Sequence, residues 1–511
     1  MEIFHSFLGN ESTKEISLLQ VLYSNHRFMD IDELTTALNM DRRSIYKYFG
    51  LLLNKPYIED QKPKEILLSK HGQGYKFCGN KKDYKILYSQ IIQANPFFEL
   101  IESLLLTNEI NITKFSYDNF ISASNIRKRL SDLAALFEEF GFSIKKSAGH
   151  ARIIGEEAKV RFFMVSFFWK IYHGLHWPFS GVSRIKCERL ITDIYQKNQI
   201  KHNEIGVELS CYVLAVNIIR FRKGFIIEQS TLERVKKSNY IDQRILAMIL
   251  NTDNDLLQAL STDLHTNYLL TPSEIEFLLL WFFTNSTFYL LNKSISNYLN
   301  TYSLEEGSLS QPAVNIRAIL TDLYEDFDSS RLSVTTKQVL LSSIFAGCFS
   351  VELFGRTKYT LTGYDIEAYI QKNFPSLLSR VSHTMEDLNI FPKDADRRAG
   401  LALEFAIAAT VIETPSTFSQ VIKIKLETDL PAALEFGIIK RIQTTFSSFY
   451  NLELSSTIPN EEADFFLSTH SLSEASNPNE TLLIKAQVSA SDLLAIHRKI
   501  VSILELKKDN P

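Results

Sequence analysis

The sequence predicts a mainly α protein: two winged-helix domains at the N-terminus, a long all-helical middle and a small α/β domain at the end. Three observations carry that prediction. Gly (18) and Pro (13) are scarce among 511 residues, which favours long helices. Two stretches, 31–77 and 113–155, each read as helix, turn, helix and hairpin, with cations gathered near the start of the second helix. After residue 420 the pattern switches to strands alternating with helices. A chain of this length is too long for one hydrophobic core, and the expected divisions are 1–85, 86–160, 161–290, 291–415 and 416–511.

The first unit is organised around 31–53, IDELTTALNMDRRSIYKYFGLLL. Ile31, Leu34 and Leu38 place an apolar stripe on one helix at i, i+3 and i+7. Asn39 and Met40 break it, and Asp41 is placed to cap the next helix. Ile45, Tyr48 or Phe49, and Leu52 form the buried side of that helix, leaving Arg42, Arg43, Tyr46 and Lys47 on the other side near its start. A helix-turn-helix presents side chains to base edges and phosphates from that place. A plain helical hairpin with solvated arginines would show the same stripe, so the flanking elements matter. Residues 14–24 supply a preceding helix, and 65–77 read as two short strands around a Gly-containing turn. Three helices and a hairpin make a winged helix, with Lys70 and Lys76 on a wing that reaches phosphates.

The arrangement repeats. Helices are expected over 97–106 and 113–120, then a third over 123–140, capped by Ser122 and carrying Asn125, Arg127, Lys128 and Arg129 near its start. Leu130, Leu133, Leu136, Phe137 and Phe140 form its core side, and Gly141 ends it in the left-handed conformation that Gly tolerates. The hairpin 142–155 follows, with Lys145 and Lys146 near its tip. The net charge of -4 hides an asymmetry: 42–85 holds eleven Lys/Arg against four Asp/Glu, a net +7. A basic patch on an acidic chain is an electrostatic footprint for nucleic acid.

These residues resemble a known family. The run Ser122, Ser124, Asn125, Ile126, Arg127, Lys128, Arg129, Leu130, followed by FGFSI and IIGEEAKVRFF, is similar to the Mga-type transcriptional regulators (M trans-acting positive regulator) and their relative, the anthrax toxin activator. The resemblance implies two DNA-binding domains, two helical regulatory domains of the phosphotransferase-system kind (PRDs), and a C-terminal domain resembling a sugar-phosphotransferase enzyme IIB.

From 161 to 415 the sequence is nearly all amphipathic helix. Residues 161–172 are densely aromatic and read as core or domain junction. Residues 208–222 are apolar almost all round and should be buried. They resemble the central helix of a first PRD, ending in Arg220 and Gly224. Thr271 to Glu274 is a capping box opening a helix over 275–283. The polar stretch 285–310 reads as a boundary, and 314–327, 335–353, 364–371, 377–388 and 394–413 form a second set of helices. The resemblance further implies regulation by phosphorylated histidine, since a neutral imidazole accepts a phosphoryl group from another phosphohistidine. In related antiterminators a histidine stands inside the central helix, but Tyr212 and Val213 hold that place here. The candidates are therefore His202, His265 and His383, in polar surroundings, whereas His173 and His176 beside Trp177 read as structural.

The C-terminal stretch offers strands over 421–426, 452–454, 463–468 and 482–484 and helices over 429–450 and 488–504, a small parallel sheet. Enzyme IIB carries a nucleophilic cysteine after its first strand. Here that loop reads Glu427, Thr428, Asp429, and no cysteine follows Cys348, which excludes a thiol relay and leaves association, through a homodimer or higher oligomer, as the expected role. The four cysteines (Cys78, Cys187, Cys211, Cys348) form no C-x-x-C, a reducing-compartment pattern without a zinc site. No signal peptide or bilayer-length apolar run is read, so the expected location is cytoplasmic, with no membrane partner. Phosphate-binding, dinucleotide, zincin and nucleophile-elbow motifs are missing from the sequence, so no enzyme, metal or cofactor is expected.

The expectation is a DNA-binding transcriptional regulator, an activator of global or virulence type. Its expected partners are double-stranded DNA and phosphotransferase-system phosphocarriers. The alternatives are a PRD-type RNA-binding antiterminator and a phosphotransferase-system carrier protein.

Overall fold

The computed structural model describes residues 8–55, 58–59, 62–63, 66–197, 204–250, 255–304, 311–324, 327–387, 392, 394–412, 420–470 and 481–508. It is mainly helical, with small sheets.

The chain begins with the helices Asn10–Asn25, Ile31–Leu38 and Arg42–Leu53, joined by Leu19, Leu22, Leu34, Ile45 and Phe49, all buried. The second helix is fixed by a capping box, in which Asp30 accepts from the Asp32 and Glu33 backbone and Glu33 reaches back to the Asp30 N–H. The hairpin Leu67–Lys70 with Gly74–Phe77 follows. Met29 adds a bridge to its second strand, exchanging backbone bonds of 2.9 and 2.8 Å with Tyr75. That bridge requires Gly74, where a Cβ would stand 2.0 Å from the Met29 carbonyl oxygen and φ is +95°.

The helix Lys81–Gln93, absent from the sequence reading, comes next, opened by a capping box between Asn80 and Asp83. The expected boundary at 85/86 falls inside it. Pro96–Thr107, Ile112–Asp118 and Ala123–Glu138 correspond to the three helices read from the sequence. The expected hairpin is the larger part of a three-stranded sheet, in which Glu109–Asn111 pairs with His150–Gly155, which pairs with Phe142–Ser147. Three residues are too few to show the two-residue period that marks a strand.

Glu157–Tyr172 is buried along almost its whole length and joins the units before and after it. Phe163 lies 4.9 Å from Phe137 and 4.8 Å from Phe140, while Phe162 lies 4.9 Å from Phe354 in the second helical set. The boundary expected at 160/161 therefore cuts a continuous helix, and that at 290/291 cuts Thr287–Leu291. The boundary read over 285–310 is not seen in its described part either: Phe288, Tyr289, Ile295 and Leu299 there are buried. The apolar core runs without a break from Leu8 to Ala409. Val334–Phe354 has the length and apolarity of a membrane span but lies mostly buried in this body.

A cluster of charges crosses the core. Arg161 and Arg220 are fully buried with Glu157 and Glu274. Arg161 donates to Glu157 at 3.0 Å and Glu274 at 2.5 Å, and to Asn217 at 2.7 Å. Arg220 donates to both Glu157 oxygens at 2.7 and 2.6 Å, to the Leu105 carbonyl and to Asn108 at 3.1 Å each. Two cations and two anions balance, as burial requires.

The C-terminal unit has its own core, from Ile422 to Ile503. Its four parallel strands lie in the order Thr481–Leu483, Phe465–Ser468, Ile422–Glu427, Leu452–Ser455. The first strand alternates between buried and half-buried residues. Ile422, Ile424 and Leu426 face the helices Ala432–Phe446 and Ala490–Lys508, and Lys423 and Lys425 bond Glu462 and Asn460 on the other face. Among the described residues these two helices lie on the apolar face, and the face with Lys423 and Lys425 is polar. The loop after this strand holds Thr428 against Thr469 at 3.0 Å and Asp429 against His470 at 2.5 Å. The stretch 413–419 between the two cores lies outside the described residues.

Candidate nucleic-acid interface

In the first unit the Asp41 carboxylate accepts from the Ser44 hydroxyl at 2.7 Å and the Ser44 backbone N–H at 2.9 Å, which holds it below its usual range and starts Arg42–Leu53. Ile45, Tyr48, Phe49 and Leu52 turn inward; Arg42, Arg43, Tyr46 and Lys47 are exposed together. Arg42 pairs with Asp32 at 2.5 Å and Lys47 pairs with Glu11, both in the open. Such exposed pairs contribute little to stability and exchange readily for a phosphate. Tyr46 leans edge-on toward Tyr75 of the wing, at 6.4 Å. On the wing, Lys70 and Lys76 sit over the same ring, Phe28, at 5.2 and 5.7 Å. Lys70 is exposed; Lys76 is half-buried.

In the second unit Ser122 caps Ala123–Glu138, accepting from the Asn125 N–H at 3.3 Å. Ile126, Leu130, Leu133, Leu136 and Phe137 are buried, and Asn125, Arg127 and Lys128 are exposed. Arg129 departs from the expectation. Its side chain is 20% exposed, pairs with Asp132 at 3.2 Å and lies over Phe97 at 5.0 Å. Its guanidinium also abuts Gly9, where a Cβ would stand 2.7 Å away. Successive helical residues turn by about 100°, so three consecutive cations cannot share one face. Arg129 is the one turned inward, where it ties the start of the first helix to the second unit. Asn95 does the same, donating to the Leu8 carbonyl and to Ser12 at 2.8 Å each.

Lys145 and Lys146 are exposed on the wing, and Lys146 donates to Ser131 of the recognition helix at 2.6 Å, so wing and helix form one surface. The sequence reading missed Arg152, exposed and paired in register with Lys145. The outward alternation of HARIIG around it was the available signal.

Among the regulatory candidates, His265 is exposed in the last turn of Asp255–Tyr268, with Nδ1 3.3 Å from the Leu270 carbonyl oxygen. His383 is exposed on Pro375–Asp387, with Nε2 3.5 Å from Asp387. His202 lies outside the described residues. His173 ends Glu157–Tyr172 in the left-handed conformation, its ring 6.2 Å from Tyr88. Burial, with Lys85, Lys170 and Lys81 nearby, drives its pKa down to about 3. Among the described residues no three His, Cys, Asp or Glu side chains are grouped to hold a metal.

Residues 80–168 match the family model of the Mga helix-turn-helix domain. Over this stretch the chain is similar to a Mga helix-turn-helix domain. The match starts at Asn80, the residue that caps Lys81–Gln93, and ends inside Glu157–Tyr172. A curated relative, named "Putative trans-acting regulator", from Streptococcus pneumoniae serotype 4 (strain ATCC BAA-334 / TIGR4), is 20% identical over 239 residues, 47% of this chain and 46% of the relative. The chain thus spans about half the length of the curated relative that it matches.

Proposed function

We propose that the protein is a DNA-binding transcriptional regulator that grips duplex DNA with two winged helix-turn-helix units, of which the Mga domain is the second. The observation that carries this reading is the exposed set Asn125, Arg127 and Lys128 at the capped start of a helix whose opposite side is buried, with Lys145 and Arg152 on the adjoining wing. The first unit repeats the arrangement with Arg42, Arg43, Tyr46 and Lys47. Cations in that position hold phosphates, while the polar side chains at the helix start read base edges.

The helical body acts as a pair of PRD-like regulatory domains in a cytoplasmic activator. Phosphotransferase-system carriers phosphorylate His383, His265 or His202, and the C-terminal α/β unit holds a homodimer. The exposure of His265 and His383 supports this, as does the separate C-terminal core. Footprinting of the full-length protein on genomic fragments at two salt concentrations tests the DNA reading. Discrete protected sites that weaken steeply with salt are expected. Protection of single strands alone, with duplex ignored, would overturn it.

A further inference from the structure

Phe120 occupies the turn between Ile112–Asp118 and Ala123–Glu138, and it is 96% exposed. Its φ is +54°, the left-handed region that bulky side chains avoid. The backbone is held there from both sides: the Phe120 N–H donates to the Tyr117 carbonyl at 3.4 Å and the Ile121 N–H to the Ser116 carbonyl at 3.1 Å. The same place in the first unit, two residues before the cap Asp41, is held by Asn39 at φ +49°. Asn tolerates this conformation and is the ordinary choice. The second unit thus carries a large apolar ring where the fold asks for a small polar side chain, and the ring repays the strain with no burial in the folded chain. Tyr117, 81% exposed, stands one turn earlier, and Asn125, Arg127 and Lys128 follow on the recognition helix.

We propose that Phe120 is an apolar contact residue for double-stranded DNA in the Mga domain, meeting a thymine methyl in the major groove or a deoxyribose face at its rim. The inference rests on the DNA-binding reading above. The turn precedes the helix end that enters the groove, so a ring on it faces the duplex when that helix docks. Thymine methyls accept such apolar contacts. The neighbouring cations supply long-range attraction and the ring supplies short-range fit.

The test uses full-length protein and a labelled duplex carrying a site that the wild-type chain protects in footprinting. Phe120→Asn removes the ring and the backbone strain together, so its Tm should equal or exceed the wild-type value. Duplex affinity should fall roughly tenfold or more. The salt slope should stay unchanged, because no cation is lost. Phe120→Leu should keep most of the affinity. The same duplex with deoxyuridine for thymine separates the two contacts: wild-type protein weakened on it reads the methyl, and wild-type protein unaffected by it, with Phe120→Asn still weak, touches the sugar. A folded Phe120→Asn variant with wild-type affinity would overturn the inference while leaving the DNA reading intact, as would one altered only in sedimentation. Wild-type protein that protects no duplex would overturn the DNA reading, and this inference with it.

Discussion

At the scale of single residues, three neighbouring cations divide into two roles. Arg127→Ala and Lys128→Ala should each weaken duplex binding and lower the slope of log affinity against log salt by roughly one unit, as measured by gel shift across a salt series. Arg129→Ala should leave that slope nearly unchanged and lower the thermal midpoint, because its guanidinium packs on Phe97 and against Gly9. Equal effects at all three positions would contradict this division. His173 sets a pH dependence. Its folded pKa of about 3 lies below the ordinary 6.5, so the unfolded chain binds the extra proton. Stability should therefore fall as pH drops from 6.5 toward 3, at up to about 1.4 kcal/mol per unit for one proton. His173→Gln should flatten that part of a denaturation–pH profile.

At the scale of elements, Arg220 ties the helix Glu204–Arg222 to the stretch that matches the Mga domain. Arg220 reaches the Leu105 carbonyl and Asn108, at the end of Pro96–Thr107, and holds Glu157 at the start of the connecting helix. Arg220→Met leaves Glu157 buried with a missing partner and should destabilise the body by about 3–5 kcal/mol in urea unfolding. A double Arg220→Met, Glu157→Met change should recover part of that loss, since it removes both members of the pair. Hydrogen exchange should show Pro96–Thr107 loosening in the single variant. No change there would mean that the contact carries no coupling.

At the scale of the whole molecule, the unbroken core from Leu8 to Ala409 and the separate core from Ile422 to Ile503 predict different consequences of removal. A chain ended at 412 should stay folded and bind duplex. In sedimentation it should show weaker self-association, because the deleted unit is the one proposed to hold the dimer. The histidine proposal has its own check. Incubated with phosphoenolpyruvate and the general phosphotransferase proteins, the protein should take up acid-labile phosphate, and His383→Ala should lower the incorporation. A phosphoryl group there would bring about -1.5 to -2 charges next to Asp387, which favours a changed local packing.

The sequence by itself determined the helix-turn-helix of each N-terminal unit, because the caps Asp41 and Ser122 and the apolar stripes that follow them are local signals. It also determined the parallel C-terminal sheet and its missing nucleophile. Only the tertiary structure decided which cation of Arg127, Lys128 and Arg129 turns inward, because that depends on Phe97 and Gly9, far away in sequence. The same holds for the continuity of the body. Residues 161–172 read as core or domain junction in sequence, and their phenylalanines pack on both neighbours at once, so no boundary falls at 160/161. The strain at Phe120 is likewise invisible in sequence, since a residue name carries no φ, and an exposed ring and a buried one are spelled alike.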